Sequence, residues 1–327
     1  TRVSTVIGYY EPWLEQFPDV AALADAELDD VLLAWEGLGY YRRARFLHAG
    51  ARMVHERMGG EVPSTFQGLK EIPGLGDYAA GAVASIAFGK AVPAVDGNVR
   101  RVLARLFDVP DPGGAWLRDT AAGLVDEARP GDWNQAVMEL GATLCTPTAP
   151  ECGRCPVADW CAARMEGTQE ERPAPKKSGR VPRRGYATAV VVDGNGRALL
   201  VRRPEDGLLG GLWAFPDARM DGWDDVLEAA RAAAVEAGAE LEDGMSGRSH
   251  LPVTLSPLRH RFTHLEATYR PVVLAGSGSD GDHRLWVELE DPGVALPVAQ
   301  QKIARASLEL LGRGDSGADG RDLQELI

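Results

Sequence analysis

The chain has 327 residues, of which 45% are hydrophobic and 25% charged, the proportions of a soluble globular protein with room for two domains. Its net charge of −13 argues against a generic polyanion binder. No apolar run reaches the roughly 18 residues that would span a bilayer and no signal peptide is visible, so the cytoplasm, with no membrane contact, is the expected location.

Residues 1 to about 144 read as helices. Apolar positions recur at helical spacing in "LDDVLLAWEGLGYY" and "YAAGAVASIAFG", with Pro and Gly between such segments, as in "GGEVPS" and "EIPGLGD". Within them, "LKEIPGLGDYAAGAVASIA" (69–87) has the form helix, Pro-Gly-Leu-Gly, helix. Gly74 and Gly76 permit φ > 0 and remove Cβ atoms. The free N–H groups and dipole of the following helix suit a phosphate. A clamp built from backbone needs little net positive charge, so an acidic chain can still bind DNA this way. An ordinary helix–turn–helix corner would read the same.

All four cysteines follow within 17 residues, in "CTPTAPECGRCPVADWC", as C-x6-C-x2-C-x5-C. Two disulfides suit small secreted domains short of core, and this chain is not short of core. Four thiolates suit tetrahedral zinc, although zinc ribbons pair two Cys-x-x-Cys knuckles and only Cys152 and Cys155 form one here. Four thiolates in one loop also suit a 4Fe-4S cluster. Spacing alone leaves zinc and cluster open.

Residues 168–185 carry six basic and two acidic side chains, and the core "RPAPKKSGRVPRR" has no acid. It reads as a basic, Pro-rich linker or as a strap lying near phosphates. Beyond it the pattern changes. "YATAVVVDGNGRALLVRR" reads as two strands around an Asp-Gly-Asn-Gly turn, "WDDVLEAARAAAVEAGA" as a helix, and "EATYRPVVLAG" and "HRLWVELE" as further strands. The expected organisation is therefore a mainly α domain (1–167) with the cysteine loop at 145–161, a linker (168–185), an α+β domain (186–312) and a flexible tail (313–327).

The hairpin, then "AVDGNVRRVLARLF", then the cysteine loop resemble the helix–hairpin–helix DNA glycosylases of the endonuclease III superfamily. The resemblance implies that Cys145, Cys152, Cys155 and Cys161 hold a structural 4Fe-4S cluster. It also implies that Asp96, in "VDGNVRR", is the catalytic carboxylate that stabilises an oxocarbenium-like sugar. Taken alone, an Asp before Gly is more often a turn residue. Bifunctional members use a lysine nucleophile just after the hairpin. The equivalent position here is Tyr78, which implies a monofunctional enzyme.

"AWEGLGYYRRAR" and "WNQAVMELGATLCTP" are similar to the MutY-type adenine glycosylases of that superfamily. The implied partner is double-stranded DNA with adenine opposite 8-oxoguanine, bound by a monomer at the bacterial nucleoid. Tyr40 then corresponds to an aromatic wedge beside the lesion. Gln135, Met138 and Asn98 join Tyr78 around the base, and Gly74 and Gly76 meet the DNA backbone. "GLLGGLWAFP" and the following helix resemble the family's Nudix-related domain. Working Nudix hydrolases need R-E-x-x-E-E. Here Arg231 and Glu236 remain while Ala232 and Val235 replace two acids, which removes oxygen ligands for a hard cation. "RHRFTHLEA" matches the family's lesion-sensing loop, with Phe262, Thr263 and His264. Thr263 stands where the family often has Ser.

In that family a general-acid Glu precedes the "QQTRV" motif, and this sequence begins at "TRV". A fragment of an active enzyme is therefore expected. The alternatives are an inactive lesion-binding protein of the same fold and a thymine or uracil mismatch glycosylase.

Overall fold

The computed structural model describes residues 3–175, 181–221, 224–242 and 251–314. They gather into two compact units. One contains Gln16–Asp25 and Arg45–Ser178; the other contains Thr1–Glu15, Ala26–Ala44 and Gly179–Ile327. This differs from the contiguous split expected from sequence. Helical segments near the start of the chain cluster with the C-terminal sheet, because their packing partners there are distant in sequence.

The helices are α1 (Val3–Gln16), α2 (Val20–Asp25), α3 (Leu28–Ala34), α4 (Arg42–Arg57), α5 (Phe66–Lys70), α6 (Asp77–Ile86), α7 (Gly97–Leu106), α8 (Gly114–Ala122), α9 (Pro130–Thr143) and α10 (Ala162–Glu166). In the helical unit, Val54, Leu69, Ile72, Ala80 and Ala84 form one core cluster. Val99, Leu103, Leu117 and Ala121 form another between α7 and α8. Fully buried Asn134 on α9 ties the layers together. Its amide donates to Ser85 Oγ and the Val92 carbonyl, both at 2.9 Å, and its carbonyl accepts from Ala94 N at 2.8 Å.

The second unit is a sheet between helices. Its strands are β1 (Arg183–Val192), β2 (Arg197–Arg202), β3 (Trp213–Ala214), β4 (Asp217–Arg219), β5 (Glu240–Leu241), β6 (Val253–Thr254), β7 (Leu258–Arg261), β8 (Glu266–Ser277) and β9 (Arg284–Glu288), with helices α11 (Val226–Glu236) and α12 (Val298–Gly314). The backbone order is β3-β2-β1-β8-β5, and β1 and β8 run parallel from Arg183↔Glu266 to Val192↔Ala275. Alternation along β1 sends Tyr186, Val190 and Val192 to the face covered by Ala299, Ile303 and Ala304 of α12. It sends Ala187, Ala189 and Val191 to the face covered by the alanines of α11. The Asp193–Gly196 turn joins β1 and β2 as expected, with Asp193 Oδ1 accepting from Asn195 N and Arg197 N.

The expected linker is largely built into its neighbours. Residues Gln169–Glu171 form a 3-10 turn, Arg172 pairs with Asp108 at 2.7 Å, and Ala174 N donates to Pro110 O. Arg183 and Arg184 already belong to β1. Residues 176–180 of that stretch lie outside the described residues, as do residues 315–327 of the expected tail, whose first two positions belong to α12. Among the described residues no helix is long and apolar enough to cross a membrane.

Candidate active site and iron–sulfur centre

The hairpin joins α5 to α6. Thr65 caps α5 through Gly68 N at 3.1 Å. Gly74 takes φ +85°, and a Cβ there would sit 2.5 Å from Phe46 Cβ, so only glycine fits. Gly76 differs from the sequence expectation: it is extended, with φ −78°, and caps α6. A Cβ on Gly76 would meet nothing within 4 Å. What glycine leaves there is a bare backbone at the helix N-terminus, available to a phosphate. Asp77, in the first turn, pairs with Lys70 at 2.6 Å, and that ammonium holds the carboxyl below the usual carboxylate range.

Asp96 is the N-cap of α7. Its Oδ1 accepts from Val99 N at 2.7 Å and its Oδ2 from Asn98 Nδ2 at 3.1 Å. One oxygen thus caps α7, as the turn reading expects, and the other accepts from a side chain. Tyr78, on the first turn of α6, places its hydroxyl 3.6 Å from Met138 Sδ. Burial, and next the charge of Asp96, push the phenol up from its ordinary value. The structure thus brings Tyr78, Asp96, Asn98 and Met138 to one place. Gln135 lies one turn before Met138 on the same helix, exposed, with its amide on Gly131 O at 3.2 Å. This arrangement can set a carboxylate against developing positive charge, with an amide and a phenol shaping the space beside it.

Sequence reasoning missed two arginines. Arg101, one turn beyond Asn98, donates to Asn98 Oδ1 at 2.9 Å, to Gly141 O at 2.7 Å and to Cys145 O at 2.7 Å. It orients Asn98, and through it Asp96, against the start of the cysteine loop. Gly141 is required here, since a Cβ would fall 2.6 Å from Asn98 Cβ. Arg105, another turn on, is buried. It donates to Thr146 O, Pro147 O and Arg172 O and reaches Cys145 Sγ at 3.3 Å. The i, i+4 spacing of the two arginines in "RRVLAR" was the available signal.

The four cysteines line one cavity together with Arg105 and Arg164. None of the four is joined in a disulfide. Burial raises the Cys161 thiol, and the other three sulfurs add to that. Four thiols lining one space suit a metal centre held by thiolates, and the buried Arg105 guanidinium beside them suits anionic ligands.

In the second unit, Phe262, Thr263, His264 and Leu265 form the loop of the β7–β8 hairpin, between the register pair Arg261↔Glu266. Phe262 N donates to Leu265 O at 2.7 Å. Thr263 and His264 are exposed, and Leu265 is buried as the anchor. Tyr40, 71% exposed, contacts this loop: its hydroxyl lies 3.2 Å from Thr263 Oγ1. On α11, Val235 is 59% exposed at a position where a Nudix hydrolase needs an acid.

Comparison with known proteins agrees with this geometry. Residues 1–115 match the HhH-GPD superfamily of base excision DNA repair proteins, residues 145–161 the iron–sulfur binding domain of endonuclease III, and residues 187–306 the NUDIX domain. The chain is similar to adenine DNA glycosylases of several organisms. It is 38% identical to the adenine DNA glycosylase of Homo sapiens over 85% of this chain and 59% of that protein. It is 40% identical to the one from Mycobacterium tuberculosis over 57% of this chain and 60% of that protein. The protein of the same name from Buchnera aphidicola subsp. Acyrthosiphon pisum is 25% identical, over 93% of this chain and 85% of that protein. The chain thus spans about three fifths of the human and mycobacterial relatives. The fold is a helix–hairpin–helix glycosylase domain with an iron–sulfur loop, followed by a Nudix-like domain. The cofactor is a 4Fe-4S cluster, and Cys145, Cys152, Cys155 and Cys161 are the residues that would hold it.

Proposed function

We propose that the protein is a monofunctional adenine DNA glycosylase of base-excision repair, which hydrolyses the N-glycosidic bond of adenine opposite 8-oxoguanine in duplex DNA. The observation that carries this is the grouping of Asp96, Asn98, Tyr78 and Met138 beside a hairpin with an open helix N-terminus. Asp96 stabilises positive charge on the sugar as the bond breaks, and Asn98, held by Arg101, fixes the carboxylate. A phenol at position 78 cannot form a Schiff base, so strand cleavage does not follow from this site.

The cluster, when bound, shapes the loop 145–161 for DNA rather than performing glycosylase chemistry. Arg101 and Arg105 tie that loop to α7. The C-terminal unit reads the lesion through Thr263 and His264, with Tyr40 as the wedge that offsets unstacking. The protein acts as a monomer in the cytoplasm, at the bacterial nucleoid.

The test is single-turnover base release by the full-length protein from duplexes with adenine opposite 8-oxoguanine, adenine opposite guanine, and thymine or uracil opposite guanine. Adenine release that is fastest opposite 8-oxoguanine supports the reading. Thymine or uracil release, or tight lesion binding with no release, overturns it.

A further inference from the structure

The Tyr40 turn is held in a conformation it would not adopt unaided. Gly37 and Gly39 take φ +90° and +65°, and Tyr40 itself takes φ +47°, a region that is uncommon for a bulky side chain. Trp35 Nε1 donates to Gly39 O at 3.0 Å, and the Arg43 guanidinium lies over both the Trp35 and Tyr40 rings. These contacts are local to the turn.

The longer-range restraints come from the other end of the chain. Glu36 Oε1, just before the turn, accepts from Leu296 N at 2.7 Å. Tyr41, just after it, donates its hydroxyl to the Leu296 carbonyl at 3.3 Å. Both polar groups of the Leu296 main chain are thus gripped by the residues flanking Gly37–Tyr40. Leu296 is buried at 2% exposure and Tyr41 at 6%, so the Tyr41 bond is interior, while the Glu36 bond is partly buried. Burial pushes the Tyr41 phenol up to about 12, so it remains a donor at any physiological pH. A further tie anchors α3: Asp29 accepts from Arg202 and from Trp213 Nε1, while the Arg202 guanidinium lies 4.8 Å over the Trp213 ring. Arg202 and Trp213 are register partners on β2 and β3.

We propose that Glu36 and Tyr41, through the Leu296 main chain, are positioning residues. They make the Nudix-like domain set the turn that presents Tyr40 beside Thr263, so that lesion discrimination depends on a contact touching neither base. The proposal rests on the function proposed above for the reading of 8-oxoguanine. Losing the Glu36 bond takes the acceptor from the buried Leu296 N–H, and losing the Tyr41 bond leaves the Leu296 carbonyl to Gln301 Nε2 at 2.9 Å; either loss releases one flank of the turn and frees it to leave φ > 0. Glu36→Gln keeps an oxygen acceptor for Leu296 N, whereas Glu36→Ala does not.

The test uses the full-length protein with its cluster and two readouts. In the DNA-free protein, backbone hydrogen exchange at residues 37–41 should quicken about ten-fold in Glu36→Ala, and stay near wild type in Glu36→Gln. In single-turnover excision, the preference for adenine opposite 8-oxoguanine over adenine opposite guanine should fall about five-fold in Glu36→Ala, with unchanged cluster absorbance. If Glu36→Ala does not fold, Tyr41→Phe removes the other Leu296 bond and should move both readouts the same way. Unchanged exchange in these variants, or equal loss on both duplexes, overturns the proposal. If wild-type protein releases no adenine, the functional reading falls, and the exchange measurement still decides whether Leu296 holds the turn.

Discussion

The Tyr40 hydroxyl and Thr263 Oγ1 lie 3.2 Å apart although 223 residues separate them in sequence. The wedge candidate and the lesion-loop candidate, each identified from a different motif, therefore share one hydrogen bond. A threonine hydroxyl serves this contact, so replacing the family's more frequent serine retains its chemistry.

That bond gives the first prediction. Thr263→Ala and Tyr40→Phe should each lower the preference for 8-oxoguanine over guanine several-fold, since a neutral hydrogen bond is worth roughly 0.5–1.5 kcal/mol. The double variant should lose less than the product of the two, because each removes the same bond. Thr263→Ser should stay near wild type. Additive losses in single-turnover excision would mean the two side chains act separately.

The second prediction concerns the cluster. Purified full-length protein should contain four irons and four sulfides with broad visible absorption; one zinc and no sulfide would refute it. Arg105→Ala should release the cluster faster under mild oxidation, since this buried guanidinium reaches Cys145 Sγ at 3.3 Å and supports the loop through the carbonyls of Thr146 and Pro147. Loss of visible absorbance with time is the measurement.

The third prediction concerns strand cleavage. Tyr78 faces Met138 Sδ and feels the charge of Asp96, yet it carries no amine. Borohydride should trap almost no covalent protein–DNA adduct, and strands should break only after alkali. Efficient trapping through a lysine would show that another residue supplies the nucleophile.

What the sequence made legible was local. Cysteine spacing, the Pro-Gly-Leu-Gly corner and the Asp193–Gly196 turn each act within a few residues, and each appears where expected. What it hid acts through space. Arg101 and Arg105 bond to the cysteine loop some forty residues away, a contact that the helix's own sequence does not show. Residues 26–44 read as part of the first domain because neither composition nor periodicity shows that Glu36 will meet Leu296. The glycines of the hairpin looked equivalent, but only Gly74 needs φ > 0. The 168–185 stretch looked like a linker because Pro and charge dominate it, while the Arg172–Asp108 pair fixes its beginning to the helical unit.

The fourth prediction is a pH dependence. His260 on β7 packs its ring 4.5 Å from Phe262. Burial, and next the charge of Lys302 on α12, hold its imidazole below the ordinary value. The folded pKa is thus lower than the unfolded one. Between the two the unfolded chain binds more protons, so stability rises with pH. The contribution is fully present above the ordinary imidazole pKa of about 6.5 and is lost as pH falls toward the folded value. Thermal melting should therefore fall more steeply below that pH in wild type than in His260→Gln. Parallel pH profiles for the two proteins would refute it.

The last prediction separates the cap role of Asp96 from the catalytic role proposed for it. As the N-cap of α7 it accepts from Val99 N at 2.7 Å, and its second oxygen accepts from Asn98. Asparagine caps helices about as well as aspartate, whereas loss of the cap to alanine costs about 1 kcal/mol. Asp96→Asn should therefore keep the melting temperature and the cluster, and Asp96→Ala should lower the melting temperature by a few degrees. Chemistry should sort the variants differently. An amide has no negative charge to set against the developing sugar cation, so both should lose roughly 10²–10³-fold or more in single-turnover adenine release by the full-length protein, the scale for removal of one preorganised electrostatic contact. DNA binding should survive in Asp96→Asn, because the hairpin glycines and the Thr263 loop are untouched. If Asp96→Asn excises adenine at the wild-type rate while Asp96→Ala fails only by unfolding, Asp96 is a cap and nothing more, and the catalytic charge lies elsewhere.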